Sequence, residues 1–248
     1  MSAITPKRYT CYRAASPLKI DGHLTDGPWK AAPWTDLFVD IEGDAKPLPR
    51  FATRAAMLWD DEFFYFAADM EEPHVWGTLT KRDSVICNDN DFEIFLDPDG
   101  DGEHYMEFEI NPLNAVWDLY LPKAYNKGGK ADHAWDFVGI RHAVQIDGTV
   151  NCADDEDRGW TVEVAIPWTA MSEYAGCDCP PKGGDAWRVN FSRVEWEWDY
   201  HQGGYLRREG VPCDNWVWSP QGEINMHIPG MWGFVDFSDT ESIYAPGS

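Results

Sequence analysis

Residues 90–111 have the sequence NDFEIFLDPDGDGEHYMEFEIN. Apolar residues occupy every second position on each side of the segment Asp97–Glu103, which is rich in aspartate and glycine. Successive side chains of a β-strand point to opposite faces of the sheet, so an alternation with period two predicts a strand that buries one face. Aspartate followed by glycine is typical of the turn between two such strands. The stretch therefore predicts two consecutive β-strands joined by a polar loop.

The same period-two pattern continues on both sides of this stretch. Thr53–Trp59 and Phe63–Asp69 flank a short acidic segment and predict a β-hairpin. Pro167–Met171 begins with proline, which is favoured in the first turn of a helix, and predicts one helical turn. Further alternating segments, each predicting a strand, are residues 115–121, 141–146, 160–166, 187–191 and 231–237.

Many short strands separated by turns are typical of β-sandwiches and jelly rolls. The chain has no long amphipathic helix and no low-complexity linker. We therefore predict a single all-β domain over residues 1–248, an antiparallel β-sandwich of the jelly-roll type with little helix. Three longer irregular stretches, residues 74–90, 123–137 and 200–229, are expected to carry the binding site, since long loops on a rigid β-scaffold often do.

Charge restricts the class of partner. The 248 residues include 20 Lys and Arg against 43 Asp and Glu, which makes a net charge of −23 at pH 7. Such a chain repels phosphate groups, so neither nucleic acid nor an anionic membrane surface is expected as a partner. A neutral ligand or a cation is expected instead, and the alternative is that the acidity serves solubility alone.

The sequence contains no feature that determines a compartment. No run of about 18 apolar residues predicts a membrane span. The N-terminal residues 1–22 contain no apolar core typical of a signal peptide. The expected compartment is therefore extracellular or periplasmic if a leader is removed, and cytoplasmic otherwise.

Five short motifs extend over about nine tenths of the chain. They are LKIDGHLTDGPWKAA at 18–32, NDFEIFLDP at 90–98, FEIN at 108–111, GWTVEVAIPW at 159–168 and WGFVDF at 232–237. Together they resemble the ordered motifs of carbohydrate-binding module family 9, and those of its stand-alone members in particular. The resemblance implies a β-sandwich that binds oligo- or polysaccharides and assists polysaccharide degradation without cleaving bonds itself.

The resemblance also implies a site in which a sugar lies between two tryptophan rings. Trp76, before the strand at 92–96, and Trp216, before the last strand, occupy those places, with Trp218 as a substitute for Trp216. A pyranose ring has apolar C–H faces, and tryptophan offers a large rigid surface for them. The alternative is that these tryptophans belong to the core or anchor loops.

Polar candidates lie on the strand that ends in FEIN. Glu109 and Asn111 are two residues apart, so their side chains share a face and are expected near the floor of the site. The resemblance implies an arginine where Glu109 stands, and a carboxylate can also bond sugar hydroxyls, as an acceptor. Arg82 is expected to reach the rim, and Trp117 and Trp135 are further candidates for ligand contact.

The loop between the two quoted strands offers oxygen ligands. Asp97, Asp99 and Asp101 occupy alternate positions, followed by glycine, as in the first half of a calcium-binding EF-hand loop. The twelfth position of that template holds Phe108 instead of glutamate, and the flanking segments predict strands. The three aspartates are therefore candidate Ca²⁺ ligands, and an acidic turn without a cation is the alternative.

The sequence contains none of the enzyme motifs G-x-S-x-G, G-x-x-x-x-G-K-[S/T] and G-x-G-x-x-G. A glycosidase needs only two well-placed carboxylates, which a sequence with 43 acidic residues can supply. We therefore expect a binding domain that is not an enzyme. A glycan-active hydrolase and a structural or protein-interaction β-sandwich are the two alternatives.

Overall fold

The computed structural model describes residues 4–25 and 27–242, so Asp26 of the opening motif lies outside the described residues. That residues 1–248 form one domain stays a prediction. One helical turn, α1, spans Trp168–Met171. Short 3-10 turns span Gly27–Lys30, Gly43–Ala45, Ile86–Asn88, Tyr125–Lys127 and Pro229–Met231. Within the described ranges the strands are β1 (Arg8–Arg13), β2 (Val39–Asp40), β3 (Thr53–Trp59), β4 (Phe63–Glu71), β5 (Asp91–Asp97), β6 (Glu103–Ile110), β7 (Val116–Lys123), β8 (Arg141–Asp147), β9 (Gly159–Pro167), β10 (Ala186–Glu195), β11 (Trp198–His201), β12 (Gly204–Arg207), β13 (Asp214–Val217) and β14 (Gly233–Glu241).

Most of these strands belong to one large sheet, while β11 and β12 pair separately. The order in the large sheet is β7-β6-β5-β10-β14-β1-β3-β4-β9-β8, and β13 pairs with both β10 and β2. The first strand, β1, runs parallel to β14 and to β3. The prediction of a purely antiparallel sandwich is therefore wrong, and the sheet is mixed. Alternation along a strand shows which side chains share a face, but it carries no information on the direction of the neighbouring strand.

The large sheet curls so that its two halves face each other across one core. Phe66 of β4 contacts Phe191 of β10 with ring centres 6.1 Å apart, although these strands are not neighbours in the sheet. Phe64 and Trp187 make a similar contact at 6.0 Å. The architecture is therefore sandwich-like, as predicted. The apolar residues that alternate along β5 and β6 all belong to this core: Phe92, Ile94, Leu96, Met106, Phe108 and Ile110.

The local predictions have mixed outcomes. The predicted hairpin is present as β3 and β4, and α1 occupies the predicted helical turn, so both predictions are confirmed. The segment 200–229, predicted as one long irregular stretch, contains β12 and β13. The structure has little helix, as expected. No helix of the described residues combines the length and the apolarity needed to cross a lipid bilayer.

Glu163 joins two of the sequence motifs to each other. This residue of β9 accepts a hydrogen bond from the Trp29 indole N–H at 2.6 Å. Its other carboxylate oxygen accepts from the backbone N–H groups of Asp21 and Gly22, at 2.8 and 2.6 Å. A side chain at Gly22 would collide with the backbone of Gln145, 2.9 Å from an added Cβ, and φ there is +85°. The opening motif therefore holds the N-terminal segment against the sheet.

Replacing Glu163 with alanine is expected to lower the free energy of unfolding by about 2–4 kcal/mol, because the indole N–H and two backbone N–H groups lose their acceptor. Chemical denaturation followed by circular dichroism measures this change. The matched control is Glu209→Ala, because Glu209 is exposed and its loss should change stability by less than about 0.5 kcal/mol. Equal stability of the two variants would contradict the anchoring role of Glu163.

Candidate functional site

A cavity of about 400 Å³ opens on the face of β5, β6 and β7 that is turned away from the core. Loops cover its sides: the segment before β5, the 3-10 turn after β7, the residue after β10, and the segment between β13 and β14. We call it the acidic cavity. Its lining residues are Ile41, Val85, Cys87, Asn88, Glu93, Phe95, Glu107, Glu109, Trp117, Leu119, Tyr125, Val194, Trp196, Cys213, Asn215, Ile224, Asn225, Met226 and His227.

Three carboxylates line the floor of the acidic cavity, and a fourth, Asp91, lies on the same strand face without lining it. Glu93 of β5 lies directly opposite Glu109 of β6, and Glu107 lies on the same face two residues earlier. Asp91 shares the face of Glu93 by the alternation of β5. All four side chains are buried, with exposures of 5% or less. The strand alternation that sends apolar residues into the core therefore sends these acidic residues to the opposite face.

The burial of these carboxylates changes their titration. Burial, the largest cause, raises the pKa of Glu93 to about 7. Burial and then the negative charges of their neighbours raise the pKa values of Asp91, Glu107 and Glu109 well above the ordinary range. Burial lowers the pKa of His227 to about 4, so this lining residue is uncharged at neutral pH. None of the described lining residues is a lysine or an arginine.

Several oxygen atoms of the floor have no hydrogen-bond donor. The backbone N–H of Cys87 donates to Glu109 Oε2 at 2.9 Å, and that of Val194 donates to Asp91 Oδ1 at 3.3 Å. Asp91 Oδ2 and Glu107 Oε2 are buried and have no partner among the described residues. An unpaired buried acceptor costs free energy, commonly about 1–3 kcal/mol and more when charged. The floor can therefore accept bonds from a donor that enters the cavity.

The rim of the acidic cavity is apolar and exposed. Val85, Tyr125 and Ile224 are among the large hydrophobic residues that the protein leaves open to solvent. Trp196 is partly buried, and its indole N–H donates to the carbonyl of Cys87 at 2.9 Å. Trp117 lies opposite Glu109 on the neighbouring strand. The cavity thus combines ring surfaces with a polar floor, as small-molecule sites commonly do.

The three tryptophans predicted to hold a sugar do not line this cavity. Trp76, Trp216 and Trp218 are only 1–2% exposed, and none of them is a lining residue. Trp76 stacks on Tyr205 with ring centres 6.2 Å apart. Trp216 lies on β13 opposite Arg193, and the Trp216 side chain belongs to the core. Sugar contact by these rings stays a prediction, and the described structure offers it no open ring face.

The polar and secondary candidates divide into two groups. Glu109, predicted near the floor of a site, and Trp117, a further candidate for ligand contact, both line the acidic cavity. Contact of either residue with a ligand stays a prediction. Asn111 does not line it: this fully buried amide donates to the carbonyl of Leu79 at 2.8 Å and to Asp89 at 2.9 Å. The side chain of Asn111 therefore orders the neighbouring loop.

Arg82 and Trp135 also lie away from the acidic cavity. Arg82 pairs with Asp118 and Asp136, so its charge is already neutralised within the described structure. Trp135 contacts Phe137 edge-to-face, with ring centres 4.5 Å apart. Arg82 contacts Asp118 and Trp135 contacts Tyr120, which lie on the face of β7 opposite to Trp117. The prediction that they contact a ligand stays untested, and the structure does not bring them to the other candidates.

The predicted calcium ligands do come together. Asp97, Asp99 and Asp101 each place an oxygen within 4.8 Å of the others. The two oxygens of Asp97 accept hydrogen bonds from the backbone N–H groups of Gly100 and Gly102, both at 3.0 Å. These are the bonds expected of an aspartate that closes the turn between β5 and β6. Calcium binding by this turn stays a prediction.

Sequence reasoning missed part of the acidic cavity. The period-two pattern places Asp91, Glu93 and Glu107 only on the polar face of their strands, and no motif marks Tyr125 or Trp196. A signal was present in residues 90–111, where acidic residues recur at alternate positions of two successive strands. Such a pattern places several carboxylates side by side if the strands pair. Whether loops then cover them depends on contacts between distant segments.

A second, larger cavity of about 560 Å³ lies on the other half of the sheet, beside Trp34. Four of its charged lining residues pair with one another: Arg54 with Asp69 at 2.8 Å, and Arg158 with Asp147 at 2.6 Å. A cavity whose polar groups satisfy one another offers less to a polar ligand than one with unpaired acceptors. The acidic cavity is therefore the stronger candidate.

Comparisons with known proteins agree with this architecture. The family model "Carbohydrate family 9 binding domain-like" matches residues 20–179. Two structures of a family 9 carbohydrate-binding module from Caldicellulosiruptor kristjanssonii are similar. The complex with cellotriose has 16% identity and a TM-score of 0.60, covering 98% of this chain and 100% of that one. The complex with glucose has 17% identity and a TM-score of 0.61, covering 97% and 100%.

A candidate carbohydrate-binding protein from Bacteroides uniformis ATCC 8492 is also similar. It has 16% identity and a TM-score of 0.67, covering 94% of this chain and 100% of its own. No curated protein matches the chain in sequence. At such low identities, the structural matches show a shared fold.

The buried carboxylates predict an unusual dependence of stability on pH. The folded state holds a proton on Glu93 up to a pH of about 7, whereas an unfolded chain releases it near the ordinary value of 4.5. As the pH rises through that interval, the folded state binds more protons than the unfolded chain, so its stability falls. By pH ~8 the loss from Glu93 alone is expected to be on the order of 3 kcal/mol.

Denaturation curves in metal-free buffer at pH values of about 5.5 and 8 measure the part of this loss between them, on the order of 2 kcal/mol. The variant Glu93→Gln, which mimics the protonated carboxyl, should show a smaller difference between the two conditions. A wild-type protein that is equally stable at both values, or more stable at the higher one, would contradict the raised pKa of Glu93.

Proposed function

The chain belongs to the carbohydrate family 9 binding domain-like family, and from this premise we propose that it binds a carbohydrate in the acidic cavity. A sugar is neutral and rich in hydroxyl groups, and it needs directional hydrogen-bond acceptors together with a flat apolar surface. The acidic cavity offers both: Glu107 and Glu109 at the floor, and Tyr125 and Trp196 at the side. The proposal extends the family assignment to a particular set of residues.

The single observation that supports the proposal most is the unpaired acceptor at the floor. Glu107 Oε2 is buried and has no hydrogen-bond donor among the described residues. A hydroxyl group of a ligand would supply that donor. Asn88, Asn215 and Asn225 line the same cavity and add amide groups that can both donate and accept.

The relatives support a glucose-based ligand. The two Caldicellulosiruptor structures are complexes with cellotriose and with glucose. We therefore infer that glucose and short β-glucans are the first compounds to test with this chain. Its net charge of −23 supports the further proposal that nucleic acids and anionic membranes are not its partners.

The remaining features of the proposal concern its biological setting. We infer that the chain acts without cleaving bonds, as an accessory to polysaccharide degradation, and that residues 1–248 form one domain. The family description, which names a binding domain, supports action without bond cleavage. Structural matches that cover 98% and 94% of this chain support a single domain. An extracellular or periplasmic location would bring such a domain to its polysaccharide.

A second candidate function is glycoside hydrolysis, because one observation favours it. Glu93 has a pKa raised to about 7 by burial, and a carboxyl group with such a pKa can act as a general acid at neutral pH. Glycosidases use two nearby carboxylates, and the cavity floor has them. An assay for new reducing ends with cellulose and soluble β-glucans separates the two: a binding domain retains polymer without releasing ends, whereas a hydrolase accumulates them.

Replacing Tyr125 with alanine is expected to weaken binding of cellotriose or glucose about tenfold, because an aromatic contact to the sugar face is lost. Tyr125 is 44% exposed, so the fold should tolerate the change. Isothermal titration calorimetry measures the affinity. The matched control is Tyr200→Ala, since Tyr200 is 45% exposed and does not line the cavity.

Binding that is the same in both tyrosine variants and in the wild type would contradict the placement of the sugar in the acidic cavity. In that case Trp76→Ala, Trp216→Ala and Trp218→Ala test the buried rings that the family resemblance implies. If the wild type binds none of the glucans, the proposed ligand class is wrong.

A further inference from the structure

Three groups of carboxylates in the described residues are close enough to share one cation. In the first group, Asp83, Asp118 and Asp136, a cation is already present, because Arg82 pairs with all three residues. Guanidinium is always charged in proteins, so this group is neutralised at every ordinary pH. The Arg82 group therefore has no need of a metal ion.

The second group is the turn of Asp97, Asp99 and Asp101. Backbone N–H groups satisfy this turn: they donate to Asp97 from Gly100 and Gly102, and to Asp101 from Glu103 at 2.7 Å. Asp99 and Asp101 are also exposed, so water solvates their charges. Nothing in the turn is left without a partner, and it carries no inference of its own.

The third group, Asp91, Glu93 and Glu109, differs from both. These carboxylates are buried, and no lysine or arginine lines the cavity beside them in the described part of the chain. The neighbouring imidazole of His227 is uncharged at neutral pH. Two backbone N–H groups are the donors that reach them, from Cys87 and Val194. No cationic side chain of the described cavity lining therefore compensates these three carboxyl groups when they ionise.

A second observation points to a missing ligand. Asp91 Oδ2 and, outside the group, Glu107 Oε2 are buried atoms with no hydrogen-bond partner among the described residues. Native proteins leave few buried polar atoms unsatisfied, and each one calls for a specific explanation. The unsatisfied oxygen of Asp91, a member of the compact acidic group, is explained by one cation bound among the three carboxylates.

We propose that Asp91, Glu93 and Glu109 bind one hard divalent cation, of which Ca²⁺ is the best match, with Glu107 beside it at the cavity floor. Each of the three carboxylates places an oxygen within 4.8 Å of the others. Ca²⁺ binds oxygen ligands at about 2.3–2.6 Å, so ligand oxygens around one ion lie up to about 5 Å apart. The distances in the group therefore fit a common ion. The cation proposal does not rest on sugar binding, although Glu109 belongs to both proposed sites.

The chemistry of the cavity favours a hard cation over a soft one. Cys87 and Cys213 line the cavity as free thiols, but neither belongs to the compact group. Carboxylate oxygens alone select Ca²⁺, Mg²⁺ or Mn²⁺.

Calorimetric titration of the metal-stripped full chain with CaCl₂ tests the proposal, with MgCl₂ and ZnCl₂ in separate titrations. We expect one Ca²⁺ per chain and a higher melting temperature with Ca²⁺, because a ligand that binds only the folded state stabilises it. The variants Glu93→Gln and Glu109→Gln should each bind Ca²⁺ at least tenfold more weakly. Both should fold, because each removes charge repulsion from a buried site.

The matched control is the double variant Asp99→Asn with Asp101→Asn, which should bind Ca²⁺ as the wild type does. Loss of binding in this control instead would assign the ion to the turn and overturn the proposal. Unchanged affinity in both glutamine variants, or no binding by the wild type at millimolar Ca²⁺, would also overturn it. So would binding of Zn²⁺ alone that Cys87→Ser abolishes. No sugar is present in these titrations, so their failure leaves the proposed carbohydrate binding untouched.

Discussion

The structure depends on two strands, β5 and β6, that are buried on both faces. On one face their apolar side chains, such as Phe92 and Phe108, pack into the core between the two halves of the curled sheet. On the other face their carboxylates are covered by loops and form the floor of the acidic cavity. The packing of the first face holds the strands in place, so the acidic second face cannot turn towards water. Core packing thus forces the burial of these carboxylates, and that burial costs free energy.

The protein treats another set of buried charges differently. Arg193, in the core, pairs with Glu72 and Glu195, both at 2.9 Å, and all three side chains are almost fully buried. Breaking such a pair leaves an uncompensated charge and strongly destabilises a fold. The acidic cavity contains no such countercharge among its described lining residues. The Arg193 group is therefore satisfied within the fold, whereas the cavity carboxylates are left available to a ligand.

The motifs that identify the family act mainly on the scaffold. Glu163 and Trp29 belong to two of these motifs, and they bind each other far from the acidic cavity. Glu93 and Glu109 also lie within motifs, yet the residues that complete the cavity, such as Tyr125 and Trp196, come from segments between them. A likeness in motifs therefore establishes the fold more firmly than it establishes the ligand.

The sequence by itself determined the hairpin of β3 and β4, the core residues of β5 and β6, and the face on which Glu109 lies, because alternation along a strand is a local property. It did not determine that β1 runs parallel to β14, or that the sheet curls. Trp216 illustrates the difference: it looked like a loop residue, but β13 pairs it with Arg193 and turns it into the core. Pairing and loop closure join residues far apart in the chain, and these long-range contacts decided which aromatic rings and carboxylates line the cavity.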